Sequence, residues 1–287
     1  MSDMETIETH SAIDRTTTQC PVCGTGALQT KFSHVVLGQH KADYCACTEC
    51  GSLIVPEVDW LADAYASQRV DTDTGAAQRS IICSLFIRAM HCVGLAAKGG
   101  RVLDFGAGNG LLVRLLRDQG FDAWGVDKHA AMAVARNWRL ETMRGEEAGQ
   151  ANMITAIEVF EHLVDPHAVL QSMVSALADD GMVLLRTTLY DGSRHDENWY
   201  YLELSSGQHI TLFSREGIRK LAERCGLRAT FLPFGFHLLR PASCKPTGGF
   251  RRGCLFLLSG LFFSLARVVG LCDCSRSSID KMMDTGS

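Results

Sequence analysis

No run of uncharged apolar residues in this 287-residue chain is long enough to cross a bilayer. The most apolar stretch, from Cys254 to Ala266, is closed by Arg251 and Arg252 before it and Arg267 after it, whereas a membrane helix needs roughly 20 such residues. There is no basic excess either. The formal net charge is -4, which gives no field to hold a nucleic-acid backbone and disfavours a polyanion partner. Residues 1–19 lack an apolar signal core, so export by that route is not expected. No internal repeat is present. What remains, 46% apolar and 21% charged residues, is ordinary for a soluble globular protein, and the length suits one large domain with a small companion.

Cysteine is abundant. Of the twelve, five lie between Cys20 and Cys50, which is not the spread of a secreted disulfide framework. A reducing cytosol fits, and clustered cysteines there read as metal ligands. Cys20-Pro21-Val22-Cys23-Gly24 and Cys47-Thr48-Glu49-Cys50-Gly51 are two zinc knuckles. Four thiolates make a closed, structural site. Cys45 offers an alternative ligand, but the paired spacing favours Cys47 and Cys50. Between Cys23 and Cys47 the basic residues are only Lys31 and Lys41, so the ribbon reads as a scaffold rather than a nucleic-acid binder. About thirty residues build little core, and metal should supply much of the local folding energy.

The patterning divides the chain into a polar, disordered N-terminus (1–18), a ribbon (19–56), a linker with a leading helix (57–98), a large α/β domain (99–242) and an apolar extension with a loose tail (243–287). Within the large domain, strand and helix signals alternate. Strands are predicted at 101–105, 121–126, weakly at 140–143, then at 152–159, 182–187 and twice within 227–239. Helices are predicted at 76–97, 111–119, 129–138, from Pro166 to 178, and after Ser214. That alternation argues for a parallel sheet with helices on both faces.

The first strand of the domain runs into a glycine loop, Asp104-Phe105-Gly106-Ala107-Gly108-Asn109-Gly110. A dinucleotide fingerprint needs a further glycine where Leu111 stands. A carboxylate ahead of the loop, Asp104, would meet a pyrophosphate badly but suits a cationic, amino-acid-like ligand. Asp127 ends the next strand, beside Lys128, where a carboxylate can accept both hydroxyls of a ribose.

With both acids and all three glycines in place, residues 76–240 resemble the class I methyltransferase superfamily. The resemblance implies a Rossmann-like seven-stranded sheet whose last strand is antiparallel, and S-adenosylmethionine as cofactor. It also implies that the loop from Asp104 to Gly110 lines the methionine part, that Asp127 holds the ribose, and that Gly145-Glu146-Glu147 lies near the adenine.

Strand four ends in Glu158-Val159-Phe160-Glu161-His162, at the strand end where open α/β sheets bind ligands. His162 can act as a general base on an acceptor hydroxyl. Alternatively Glu158, Glu161 and His162, joined by His209, hold Mg or Mn, as similar Glu-x-x-Glu-His segments do in ubiquinone-pathway O-methyltransferases and small-RNA 2′-O-methyltransferases. Local capping is the third reading. Trp199-Tyr200-Tyr201 either stacks on the acceptor or packs as a lid, and His209 is the second candidate base.

The cysteine module followed by Pro56 and Tyr65 is similar to modules of bacterial sugar and glycan methyltransferases. That implies a small acceptor, a sugar hydroxyl or carbon. The alternatives are a quinone, lipid-like or natural-product hydroxyl, and a non-catalytic cofactor-binding module. The stretch 251–271 reads as a buried helix, an oligomer contact, or a helix that dips into a membrane surface.

Overall fold

The structure is a computed structural model that describes residues 15–66, 74–96, 99–143 and 149–244, with isolated positions at 253, 254, 257 and 260. Of the N-terminus expected to be disordered (1–18), residues 1–14 lie outside the described residues, as do the Gly145-Glu146-Glu147 segment and nearly all of 251–271; residues 15–18 correct that expectation, because Arg15 and Thr16 pair with Val58 and Glu57 and Thr17 N donates to Pro56 O.

The N-terminal part comprises β1 (Arg15–Thr16), β2 (Leu28–Val36), β3 (His40–Cys47), β4 (Leu53–Ile54), β5 (Glu57–Val58) and α1 (Leu61–Ala66). Then follow α2 (Thr74–Cys92), β6 (Arg101–Phe105), α3 (Leu111–Asp118), β7 (Asp122–Val126), β8 (Arg139–Leu140) and β9 (Ala151–Ile157). The chain continues through α4 (Pro166–Ala176), β10 (Leu177–Arg186), β11 (Thr211–Leu212), α5 (Arg215–Arg224), β12 (Leu227–Phe231) and β13 (Phe236–Pro241).

Seven strands form one sheet in the order β12-β13-β10-β9-β6-β7-β8. Pairing is parallel from β10 through β9, β6 and β7 to β8, and antiparallel on both sides of β13. The expected antiparallel last strand is therefore present. Alternation along the strands feeds two cores. Val102, Leu184 and Leu238 face α2 and α3, while Leu103, Val183, Leu185 and Leu239 face α4 and α5. The thiols of Cys20, Cys23, Cys47 and Cys50 join the second of these cores.

Local chemistry explains the helix starts. The Asp165 side chain accepts from His167 N (3.1 Å) and Ala168 N (3.0 Å) with Pro166 in the first turn of α4. Ser214 Oγ accepts from Gly217 N at 2.8 Å at the start of α5.

Three further expectations are corrected. Residues 129–138 do not form a helix. Asp127 Oδ1 takes the His129 and Ala130 amides, as a cap would. Met132 then turns left-handed (φ 49°) with its side chain fully buried, and the Val134 amide donates to Asn109 O at 2.9 Å instead of to a carbonyl one turn back. Only a short 3-10 turn, Arg136–Trp138, remains. Tertiary contacts override alanine's helix propensity here. Asp179, Asp180 and Gly181 do not separate a helix from a strand. They lie inside β10, which already pairs with β9 at Leu177 and shifts register before Met182. Finally, residues 57–66 are not a linker: β5 pairs with β1, α1 follows, and Trp60, Leu61 and Ala64 are buried.

The ribbon strands make a second sheet, in the order β11-β4-β3-β2. Its fourth strand is β11, contributed by the chain after β10, with Thr211 opposite Ile54 and Leu212 opposite Leu53.

Candidate active site

The glycine loop leaves β6 at the centre of the sheet. Asp104 is 4% exposed and accepts from Thr155 Oγ1 of β9 at 2.6 Å. Burial pushes its pKa up to about 7. The Thr155 hydrogen bond opposes that shift and the charge of Asp127 adds to it. A Cβ on Gly106 would lie 2.6 Å from the Val159 side chain, and one on Gly110 would lie 2.7 Å from Ala135 Cβ. Gly108 instead faces open space, so its backbone is free to approach a ligand.

Asp127 ties the loop to β7: Oδ2 accepts from Gly108 N (2.8 Å), and Oδ1 from His129 N (2.8 Å) and Ala130 N (2.6 Å). Phe105 is half-buried, whereas Asn109 and Lys128 are exposed. Asn109 Oδ1 accepts from Leu111 N and so starts α3. From α1, the Tyr65 ring stacks on His129 (centroids 4.5 Å apart) and covers this end of the cleft.

Val159, packed against Gly106, brings the loop next to the segment after β9. Glu158 adopts φ 54°, an uncommon conformation for a side chain of its size. Arg186 Nη1 donates to its Oε1 at 2.5 Å and the Tyr201 hydroxyl to its Oε2 at 2.8 Å. The same hydroxyl touches Glu161 Oε1. One proton cannot serve both carboxylates. The second contact is made when Glu161 carries its own proton, the form favoured by burial and by the Glu158 charge, which push its pKa up to about 8. Glu161 is fully buried, and its Oε2 has no hydrogen-bond partner among the described residues.

His209 Nδ1 lies 2.7 Å from the Tyr201 carbonyl oxygen. The carbonyl can only accept, so Nδ1 carries the hydrogen and Nε2 keeps its lone pair. Burial holds both His162 and His209 below the usual imidazole pKa; the charge on His209 adds to this for His162, and the Tyr201 carbonyl opposes it for His209. Ligand atoms of Glu161, His162 and His209 all lie within 4.8 Å of one another.

The fold thus brings Glu161, His162 and His209 together, whereas Arg186 and Tyr201 hold Glu158 outside this trio. Tyr201, expected only as a stacking or lid aromatic, is the hinge between the two carboxyls. Trp199 is 8% exposed and stacked on His195, which leaves Tyr200, at 66%, as the exposed ring of that cluster. The sequence signal for Arg186 was a charge ending a buried strand.

In the ribbon, Cys20 and Cys50 Sγ are 3.7 Å apart, and Cys23 and Cys47 Sγ 3.6 Å. A tetrahedron with metal–sulfur bonds of about 2.3 Å has edges of about 3.8 Å, so the four thiols fit zinc. Cys45 points elsewhere, with its Sγ 3.5 Å from Thr30 Oγ1.

These features define the class. Residues 78–230 match the family described as "Methyltransferase domain", and the chain belongs to it. Among similar curated proteins, the ubiquinone biosynthesis O-methyltransferase of Pseudomonas aeruginosa (strain UCBPP-PA14) is 33% identical over 108 residues, covering 33% of this chain and 46% of that protein. Its counterpart in Idiomarina loihiensis is 28% identical over 134 residues, covering 42% and 52%. The matches span about half the length of these relatives. The plantazolicin methyltransferase BpumL, in complex with a monoazolic desmethylPZN analog and SAH, shares the fold with a TM-score of 0.52 at 14% identity, over 75% of this chain and 88% of that one. Among the described residues no helix is long and apolar enough to cross a membrane.

Proposed function

We propose that the protein methylates a hydroxyl of a small, apolar, quinone-like acceptor. The observation that carries this reading is the trio of the buried Glu161 and His209 with the half-buried His162, which begins two residues beyond Val159, the side chain packed against the glycine loop. The relatives' names favour an oxygen acceptor of this kind over the sugar expected from the cysteine module.

When bound, S-adenosylmethionine supplies an electrophilic methyl group. Asp104 and the open backbone at Gly108 would hold its methionine part, the carboxylate against the ammonium, and the remaining lone pairs of Asp127 would take the ribose hydroxyls. The wall formed by Tyr65 and His129 closes the cleft on that side. Arg186 and Tyr201 hold Glu158 and Glu161 in place. His162 and His209 present neutral imidazoles, and one of them takes the acceptor proton while the acceptor oxygen is held in line with the methyl group.

A second reading is favoured by the orphaned Glu161 Oε2. Two imidazole nitrogens and a carboxylate oxygen fit Mn better than Mg. A divalent ion there would orient the acceptor oxygen and lower its pKa. In the ribbon, Cys20, Cys23, Cys47 and Cys50 would hold zinc in a structural role.

The test is labelled methyl transfer from S-adenosylmethionine to catechol and quinol acceptors, with sugar nucleotides in parallel. Product on the phenolic oxygen supports the reading, and product on sugars alone overturns it. Loss of transfer on EDTA treatment, restored by Mn, selects the metal reading, whereas transfer indifferent to EDTA selects the base.

A further inference from the structure

The N-terminal module does more than sit beside the methyltransferase domain: it grips one short segment, 207–214, from several directions. At the start of that segment, the buried Trp60 indole Nε1 donates to Gly207 O at 2.8 Å. Gly207 has φ 61°, and a Cβ there would lie 3.0 Å from that same indole nitrogen. The neighbouring Gln208 Nε2 donates to Ala64 O of α1 at 3.2 Å. His209 follows directly.

Beyond it, Val55 N donates to Ile210 O (3.0 Å), while Ile210 N donates to Glu161 O (2.9 Å). A single residue therefore joins the ribbon to the backbone of the Glu161 turn. Thr211 and Leu212 then form the outer strand of the ribbon sheet, and Thr211 Oγ1 donates to Leu163 O at 3.0 Å. At the far end Ser214 N donates to Ser52 Oγ (3.1 Å) and Ser214 Oγ to Cys50 O, the carbonyl of a knuckle cysteine.

A segment held at both ends by another module has its middle placed by that module. Between the Gln208 and Ile210 anchors stands His209, whose ring hydrogen-bonds to Tyr201 O. The loop Asp104 to Gly110 is held differently, by Asp127, Thr155 and Val159.

We propose that Trp60, with the ribbon strand Leu53–Ile54, is a positioning element for His209: these anchors set where the imidazole stands relative to Glu161 and His162, and so govern acceptor chemistry, whereas the module reaches the donor site by a separate contact, Tyr65 on His129. This rests on the reading of His209 as an acceptor-side residue. Because proton removal and metal ligation both need that ring within about 0.5 Å of its place, loosening its anchor should lower turnover while leaving the cofactor site intact.

The test uses the full-length protein and two variants. Trp60→Phe keeps the aromatic bulk and removes only the indole donor. Gly207→Ala crowds the same contact from the other side. Three readouts are compared: hydrogen exchange by mass spectrometry over 203–214 and over 101–127, S-adenosylhomocysteine binding by calorimetry, and turnover at saturating donor. The expected result is faster exchange in 203–214 with 101–127 unchanged, S-adenosylhomocysteine affinity within about twofold of wild type, and turnover reduced about tenfold or more. Unchanged exchange in 203–214 overturns the proposal. So does faster exchange in both regions, which would make Trp60 a general stability residue. Local loosening with full turnover overturns it as well. If the wild type methylates none of the acceptors offered, the functional reading fails by itself. Exchange, together with the ¹⁵N-histidine signature of the His209 Nδ1–H tautomer, still decides whether the module positions the ring.

Discussion

The rings of His162 and His209 face each other with centroids 5.0 Å apart, and the Nδ1 hydrogen of His209 is committed to the Tyr201 carbonyl. The two histidines come from opposite sides of β10 in the chain, one beside β9 and the other ahead of β11. Glu161 completes the group from the same turn as His162.

Removing a member of this trio should abolish chemistry and spare the donor site. His209→Ala and Glu161→Gln are each expected to lower turnover by about 10²-fold or more, the usual scale for a lost acid–base group, with S-adenosylhomocysteine affinity within about twofold of wild type. Steady-state kinetics at saturating donor, alongside calorimetry, check this. A variant with full turnover removes its residue from the reaction.

Asp104 links the cofactor site to pH. Its folded-state pKa of about 7 lies above the ordinary 3.8, so between those values the folded protein holds a proton that the unfolded chain has released. Stability of the donor-free protein should therefore fall as pH rises across that window, by up to about 4 kcal/mol. Asp104→Asn should melt higher than wild type at pH 8 and bind S-adenosylhomocysteine more weakly. In the wild type, donor binding should tighten as pH rises through 7, because the ammonium needs the ionised carboxylate. Melting curves at pH 5 and pH 8, with calorimetry over the same range, test both signs.

His237 gives the opposite slope. Its Nε2 faces Thr187 O at 3.1 Å, and a proton on Nδ1 would have no partner among the described residues. Burial holds the ring at about 4, with the Thr187 carbonyl opposing the shift. Between 4 and 6.5 the unfolded chain binds the proton that the folded one refuses, so stability from this group rises with pH. As pH falls from 6.5 to 4 the loss should reach about 3 kcal/mol. Denaturant titrations of wild type and His237→Gln across this range should show the variant with the flatter dependence.

The ribbon should carry one zinc per chain. Cys50→Ser is expected to lose it and to cost the protein about 2 kcal/mol or more, since the local fold has little core without metal. Metal analysis of the purified protein and a thermal melt of each form measure this. Full zinc content in the variant would move the site to Cys45.

Legibility in the sequence followed the range of the interactions. The glycine loop, the paired cysteines and the helix starts at Pro166 and Ser214 are local patterns, and their physics lies within a few residues of each. The segment 129–138 misled because its alanines favour a helix, whereas the Val134 amide is claimed by Asn109. The coupling of Glu158 to Arg186 and Tyr201 depends on strands that meet only in the folded sheet. Trp60 carried no signal at all, since its partner is a backbone carbonyl far along the chain. His209 was visible as a candidate, but nothing nearby in the sequence revealed what holds it.

Because the outer strand of the ribbon sheet is Thr211–Leu212, the order of synthesis matters. Zinc held by the four thiols would cross-link the two knuckles as soon as Cys50 had left the ribosome. The edge at Leu53–Ile54 then stays unpaired until most of the methyltransferase domain has been made. In that interval the nascent ribbon offers an open β-edge flanked by apolar side chains, and closing it is a long-range contact that forms late. Until that closure the growing chain is more prone to aggregate than the finished protein, and completing the ribbon coincides with assembling the site that the ribbon supports.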